Sequence, residues 1–293
     1  METLLAAGAD VGTDANGTAL SRAGSREIIR RLLDAGANPA DLPHDGQRTL
    51  LGLGAVEEDA ADVVSPDDPP QSFSRIFGRK NPEKMANRFW EAMVRNGIAA
   101  HTAGRRIEAL RGPVAGPVWC AQRFGQSFTL LTAGRAIQIG GEHEDGYDPD
   151  FCIYNDVLVH AGDGTIAIYG YPETVFPPTD FHTATLIGDH IYVIGRLGYH
   201  GTRRPGFTPL YRLNIHSLRM ESLDAGGEPP GWLYKHRAAV VGTREIRAWG
   251  GIVVTAGAAD GRESHEENRA VFVLNLDRLL WRREPEGLPN EGE

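Results

Sequence analysis

Four polar segments hold the residue types from which a binding or acid–base site could be built. They are Glu142-His143-Glu144-Asp145-Gly146-Tyr147-Asp148-Pro149-Asp150, Phe176-Pro177-Pro178-Thr179-Asp180-Phe181-His182, Tyr199-His200-Gly201-Thr202-Arg203-Arg204 and Trp232-Leu233-Tyr234-Lys235-His236-Arg237. Histidine titrates near neutrality, and arginine grips a carboxylate or phosphate at two points. The binding-face candidates are Glu142, His143, Glu144, Asp145, Asp148, Asp150, Asp180, His182, Tyr199, Arg203, Arg204, Trp232, His236 and Arg237. A face of this kind suits recognition of another protein, with the acidic run 142–150 meeting a basic partner. The same groups could instead do chemistry on a small polar substrate, with His143, Glu144, Asp180, His182 and His236 as acid, base or ligand groups of an isomerase, lyase or hydrolase. His182 could equally be a buried hydrogen-bonding residue.

Other chemistries find no motif. His143 and Glu144 with Asp180 or His182 match no zinc or calcium spacing, so no metal and no cofactor is expected. The chain has no nucleophile elbow, Walker loop, dinucleotide fingerprint or paired-cysteine motif. Its Gly-Gly pairs precede no helix and therefore punctuate strand ends. Cys120 and Cys152 are the only cysteines, too few to staple a chain of 293 residues, and read as buried, reduced thiols.

Composition narrows the partner. Thirty basic against thirty-nine acidic residues leave a net charge of −9, which argues against nucleic acid as the main ligand. No apolar run reaches the ~18–20 residues needed to cross a bilayer, and Met1-Glu2-Thr3 lacks the basic start of a secretory signal, so a cytoplasmic protein without membrane contact is expected. Thirty-six Gly and eighteen Pro imply many turns and short strands.

The elements that must position the polar segments come from a repeat. Gly134, Gly188 and Gly242 are spaced by 54 residues, and each separates two short apolar runs: Phe128–Thr132 and Ala136–Ile139, Thr183–Ile187 and Ile191–Ile194, Ala238–Val241 and Ile246–Trp249. Each second run ends in glycine, as Gly140-Gly141, Gly195 and Gly250-Gly251. A third and a fourth strand follow: Asp156–His160 and Thr165–Tyr169, Leu210–Asn214 and Leu218–Ser222, Val271–Asn275 and Leu279–Arg283. In such a unit the segment before the first strand and the loop joining strands two and three lie at one end, so loops 142–152 with 176–182, 196–208 with 229–237, and 252–267 collect on one face. The pattern over about 126–284 resembles the kelch repeat, the four-stranded blade of a β-propeller. That resemblance implies three blades, fewer than the four to eight that close a ring, so an open or incomplete propeller with edges free for self-association is expected. Pro117–Gln122 reads as one further strand around Trp119.

The first residues carry a different repeat. Leu4-Leu5-Ala6-Ala7-Gly8-Ala9-Asp10 is nearly repeated by Leu32-Leu33-Asp34-Ala35-Gly36-Ala37-Asn38, and the turns Asn16-Gly17 and Asp45-Gly46 lead into Thr18-Ala19-Leu20 and Thr49-Leu50. This resembles ankyrin repeats, in a degenerate form with a 28-residue interval. Ile28, Ile29, Leu32 and Leu33 form an apolar helix face that must pack on a neighbour.

Between the two repeats the charge reverses. Residues 57–70 hold six acids, no base and three prolines, while residues 72–112 hold nine bases and three acids, so the two are expected to pair. Asn81-Pro82-Glu83 predicts a helix start and Asn96-Gly97 its end, with Met85, Phe89, Trp90, Met93 and Val94 on the apolar side. The predicted organisation is α + β and multidomain: ankyrin-like repeats over 1–56, an acidic linker over 57–71, a basic helical connector over 72–112, a kelch-like β domain over 113–285 and a tail over 286–293. Both resemblances imply a protein-interaction scaffold; the alternative is a propeller-type enzyme, and a third reading leaves recognition to the ankyrin-like block alone.

Overall fold

Ser25 accepts the Ile28 N–H at 3.3 Å and starts a helix over Arg26–Asp34 that buries Ile29 and Leu32. The computed structural model describes residues 13–14, 17–56, 62–113, 116–144, 151–256 and 263–285. It is an α+β fold in which helices come first and antiparallel sheets follow. Gly8 and the first Leu-Leu phrase lie outside the described residues. The apolar face of the first helix packs with Leu20, Leu42 and Leu50 against Phe128 and Ala136 of the first sheet, so the N-terminal block leans on the β region.

The expected turn at Asp45-Gly46 is instead inside a helix, His44–Leu51. Gly46 serves close packing: a Cβ there would lie 2.8 Å from Leu42 Cδ1.

The helix expected from Asn81-Pro82-Glu83 starts later, at Arg88, where the Asn87 side chain accepts the Trp90 N–H, and it runs to Asn96. Glu83–Lys84 is a short strand added to the outer edge of the first sheet. Asn81 serves the second sheet: its Nδ2 donates to Met220 O at 2.7 Å and its Oδ1 accepts the Met220 N–H at 2.9 Å. A side chain thereby satisfies an edge strand that would otherwise expose its backbone groups. Helices Arg88–Asn96 and Ala100–Arg111 bury Phe89, Trp90, Met93 and Ile107 with Leu158, Ile166 and Ile168 of the first sheet.

From residue 62 onward the segment expected as a linker is part of this core. Val63 and Val64 are buried there, and Asp68 pairs with Arg88 at 2.6 Å, joining the acidic and basic stretches. Pro117–Gln122 is no strand of a further sheet. It makes a single bridge, Ser74 to Val118, while Trp119 stacks on Trp90 at 4.9 Å.

Three four-stranded antiparallel meanders follow. The first pairs Ser127–Leu130, Ala136–Ile139, Val157–His160 and Ile166–Gly170; the second pairs Thr183–Ile187, His190–Ile194, Leu210–Asn214 and Met220–Ser222. The third pairs Arg237–Val241, Glu245–Trp249, Val271–Asn275 and Leu280–Arg283, with Gly226–Gly227 added in parallel to its last strand. Gly134, Gly188 and Gly242 all have positive φ, as tight hairpin turns require. The stretch 252–267, read from sequence as a loop, contains paired strands Ile252–Ala256 and Glu263–Glu267, and the first of these pairs with Trp232–Tyr234. In 142–152, Glu142–His143 pairs with Cys152–Ile153.

The sheets stack in chain order. Ile137, Ile139 and Val157 meet Ile191, Val193 and Leu213 between the first two, and Tyr192, Ile194 and Leu210 meet Ile246, Ala248 and Leu274 between the second and third. Among the described residues no ring closes. Helices cover the outer side of the first sheet. On the outer side of the third, Arg247 pairs with Glu284 at 3.0 Å and Arg282 with Glu245 at 3.4 Å, the polar finish of a terminal repeat. No helix among the described residues is long and apolar enough to cross a membrane.

The glycine after each second strand fixes how the sheets join. A Cβ on Gly140 would lie 2.1 Å from Thr179 O, and one on Gly195 would lie 2.2 Å from Leu233 O, because the segment leading into the next sheet crosses there. At Gly250 a Cβ would meet no described atom within 4 Å, and among the described residues no further sheet packs there. Gly195→Ala is expected to destabilise by about 3 kcal/mol or more in urea unfolding, whereas Gly188→Ala, with the same backbone hand and open space, should cost roughly 1–2 kcal/mol. Equal losses would refute the crossing as the cause.

Candidate functional site

Each sheet begins with the same local device. Gly125, Phe181 and Lys235 all stand in the left-handed region, at φ 61, 49 and 53°, two residues before the first strands open at Ser127, Thr183 and Arg237. A non-glycine residue held there costs roughly 1–2 kcal/mol, so the surroundings must enforce it. They do so by a relay: the Phe181 N–H donates to Gly125 O at 2.9 Å, and the Lys235 N–H donates to Phe181 O at 2.8 Å.

The next residue is histidine twice. His182 Nε2 lies 2.9 Å from Ser127 Oγ, and His236 Nε2 lies 2.9 Å from Thr183 Oγ1. Each imidazole therefore reaches back to the hydroxyl that opens the preceding sheet. At the end of the array Arg237 occupies the hydroxyl's place, is exposed, and has no following imidazole to serve.

These residues line a cavity of about 440 Å³. The first strands of all three sheets form its wall, with Asn38, Asp41 and Gln47 of the N-terminal block on the remaining side; Phe128, Phe181 and Trp249 supply aromatic surface, and Lys235 and Arg237 supply positive charge. Both histidines are buried, and each Nδ1 is sealed from solvent without a hydrogen-bond partner among the described residues. Burial pushes each of them down to about 3, and His236 is lowered further by His182. Near neutral pH they are uncharged hydrogen-bonding groups and not proton exchangers.

Beside the cavity mouth lies a carboxyl pair. Asp180 is fully buried, its Oδ1 accepts the Gly198 N–H at 2.7 Å, and burial raises it above the usual carboxylate range. Burial first, then the negative charges of Asp180 and Glu144, pushes Glu142 up to about 7, against the pull of Lys235. The Lys235 ammonium sits 4.5 Å from the centre of the Phe181 ring.

The other sequence candidates are placed elsewhere. His143 turns away from the cavity and sets its Nδ1 2.6 Å from the Tyr154 hydroxyl; burial and the charge of Arg123 lower it to about 4. Tyr199 Oη accepts from Arg75 and lies 3.0 Å from the Ile153 N–H. Arg203 pairs with Glu263 at 2.7 Å, Arg204 lies over the Phe207 ring, and the buried Trp232 donates to Leu197 O. Glu144 is exposed. Asp145, Asp148 and Asp150 lie outside the described residues. Among the described residues no three His, Cys, Asp or Glu side chains are grouped so as to hold a metal ion.

Sequence reasoning missed Ser127, Thr183, Lys235 and the contribution of Asn38, Asp41 and Gln47. Thr183 and Lys235 were available from the repeat, since 54 residues separate Phe181 from Lys235 and His182 from His236, and Ser127 lies 56 residues before Thr183; the N-terminal wall is a tertiary contact with no local signal. No family model matches the chain, and no curated protein matches it.

The Glu142 carboxyl gives a test with a defined sign. Its raised value means that its contribution to stability is present below about pH 4.5 and is lost as pH rises through about 7. Glu142→Gln should melt with wild type at pH 4.5 and about 2–4 °C above it at pH 8, the shift that ~1 kcal/mol produces in a chain of this size. A constant difference across that range would remove Glu142 from the pair. The buried imidazoles act in the opposite direction, losing stability as pH falls from about 6.5 towards 3.

Proposed function

We propose that the chain is a recognition module, and that a polar group of its partner enters the axial cavity. The observation that carries this reading is the cavity itself. It is large enough for a small-molecule or side-chain ligand, it is walled by the first strands of all three sheets and by the N-terminal block, and its lining includes two neutral imidazoles held on the hydroxyls of Ser127 and Thr183. The resemblance to ankyrin and kelch repeats supports the same reading, because both are scaffolds for binding other proteins. A protein partner would dock at the end of the sheets where Glu142 and the exposed Glu144 lie, and would present a basic region to them.

The N-terminal block does not stand apart from this site. Asn38, Asp41 and Gln47 line the cavity, and the block covers Phe128 and Ala136. Removing residues 1–56 would open the wall and strip the core, so recognition by the block alone is the weaker reading.

A second reading rests on Glu142. A carboxyl near 7 beside a buried Asp180 is matched to general acid or base work on a small polar substrate. In it Glu142 and Asp180 carry the proton, and the histidines only position the substrate.

One experiment separates the two. Ala239 is exposed and lines the cavity, so Ala239→Trp fills it from the open side without disturbing a core position. Thermal shift against a panel of polar small molecules should give ligands that stabilise wild type by about 2.7 kcal/mol at a hundredfold excess over Kd and do not stabilise the variant. Ligands that stabilise both equally would refute the cavity as the site. Conversion of a bound ligand, followed by NMR and lost in Glu142→Gln, would replace recognition by catalysis.

A further inference from the structure

We infer that the axial cavity takes an extended peptide of a partner protein, which pairs as an added strand with the edge of Arg237–Val241 and sets a basic residue at the Lys235 end. This rests on the cavity being the recognition site and goes on to name what enters it.

Backbone hydrogen bonding selects a strand. Each first strand lies at the end of its sheet, so one side of its backbone is turned away from the rest of that sheet. The three edges differ in cover. Ser127–Leu130 packs against the short turn Pro39–Asp41, and Thr183–Ile187 lies between the other two first strands. Four of the five residues of Arg237–Val241 are exposed, against none in the other two. Val240 is 45% exposed and Val241 41%. Among the described residues the backbone of this strand hydrogen-bonds only to Glu245–Trp249. The opposite edge of the same sheet is closed by Gly226–Gly227. A bare edge of this kind is a template for one more strand.

The space beside the edge fits one extended chain. Arg237, Ala238 and Ala239 line the cavity on this side, and Asn38 and Asp41 stand across it. About 440 Å³ closed in this way holds a few residues of a single strand and no second sheet. The methyl side chains of Ala238 and Ala239 let another backbone come close, and Val240 offers a branched side chain for cross-strand contact.

Charge sets the sign and the end. Lys235 and Arg237 are the cations of the lining and Asp41 its carboxylate; Glu142 lies beside Lys235, with Asp180 and Glu144 next to it. Four carboxyls against two cations disfavour an acidic ligand. Asp180 is buried, whereas Glu144 is exposed and Glu142 partly so, and these two stand where the strand begins. A basic side chain at that end of the peptide reaches them.

The test uses the full chain and the capped peptide Thr-Val-Thr-Val-Thr extended by arginine at its N-terminal or its C-terminal end, with glutamate counterparts. Hydrogen exchange followed by NMR should slow alternate amides of Arg237–Val241 at least tenfold with the tighter arginine peptide at saturation. Calorimetry should find its glutamate counterpart at least tenfold weaker. The C-terminal arginine binding more tightly means an antiparallel pair, and the N-terminal one a parallel pair; either supports the inference. N-methylation of one alternate set of peptide nitrogens should abolish binding, and of the other set should not. The double variant Glu142→Gln, Glu144→Gln should lose the preference for arginine and keep the amide protection. Ala239→Trp should lose both, with an unchanged urea midpoint keeping the result on binding. No peptide bound, glutamate equal to arginine, or methylation of either set without effect overturns the inference. A dimer in light scattering that Ala239→Trp dissolves would put a second copy on the edge and also overturn it. If no peptide binds but a small molecule is excluded by Ala239→Trp, the peptide fails and the recognition module stands; if nothing is excluded, both fail.

Discussion

The joint between consecutive sheets is the constraint from which the rest of the molecule follows. At each joint a carbonyl of the incoming segment presses on a glycine, Thr179 on Gly140 and Leu233 on Gly195, at a distance no side chain tolerates. The neighbouring N–H groups close the contact, Gly141 to Thr179 O at 2.8 Å and Arg196 to Leu233 O at 3.0 Å. Two residues further on, the relay through Gly125, Phe181 and Lys235 repeats the alignment. Backbone bonds with little freedom therefore set the spacing of the three first strands, and that spacing is the width of the cavity. Apolar side chains fill the space between the sheets but do not choose the angle.

Among the described residues no sheet packs before the first of the three, and a buried ion pair takes over the joint. Arg123, wholly buried, meets Asp156 through two nitrogens, donates to Cys120 O at 2.7 Å and to Gly140 O at 2.9 Å, and lies 3.5 Å from the centre of the Tyr154 ring. Asp156 also accepts the Trp119 indole N–H at 2.8 Å. Charges taken out of water are tolerated only when their hydrogen bonds are complete, and this pair is surrounded by acceptors, donors and ring faces. It ties the extended segment at 120–123 to the same Gly140 that receives the second sheet. Arg123 thereby adds a buried polar link between this segment and the repeat array to the apolar packing of the helices on the first sheet.

The array was legible in the sequence because its signals are local and periodic. The glycine turns recur at a fixed interval, the apolar alternation marks each strand, and the observed strands begin and end within two residues of the expected ones. The helix expected at Asn81 was not, because its capping signature is equally good for a side chain that closes a sheet edge, and only the distant Met220 decides between the two. Asp45-Gly46 failed for a related reason: glycine marks a turn or a close approach, and Leu42 made it the latter. For the site, the polar segments were found, but their inward and outward members were not separable. His143 and His182 look alike in sequence, yet one is turned to Tyr154 and the other to Ser127.

Repetition also accounts for where the chemistry lies. Inside the array each imidazole serves the hydroxyl of the sheet before it, and each receiving glycine holds the sheet after it, so the repeated positions are consumed by structure. The exceptions fall where the array stops. Gly250 receives nothing, Arg237 replaces a hydroxyl that no imidazole needs, and Trp249 stands where Ile139 and Ile194 are buried by a following sheet. Among the described residues no sheet covers this face of the third sheet, so the Arg237 guanidinium can reach water there beside the Trp249 ring. The N-terminal helices close the opposite side of the same cavity and leave this end open. The cation, the flat aromatic surface and the open space consequently coincide on the face of the third sheet that no described sheet covers.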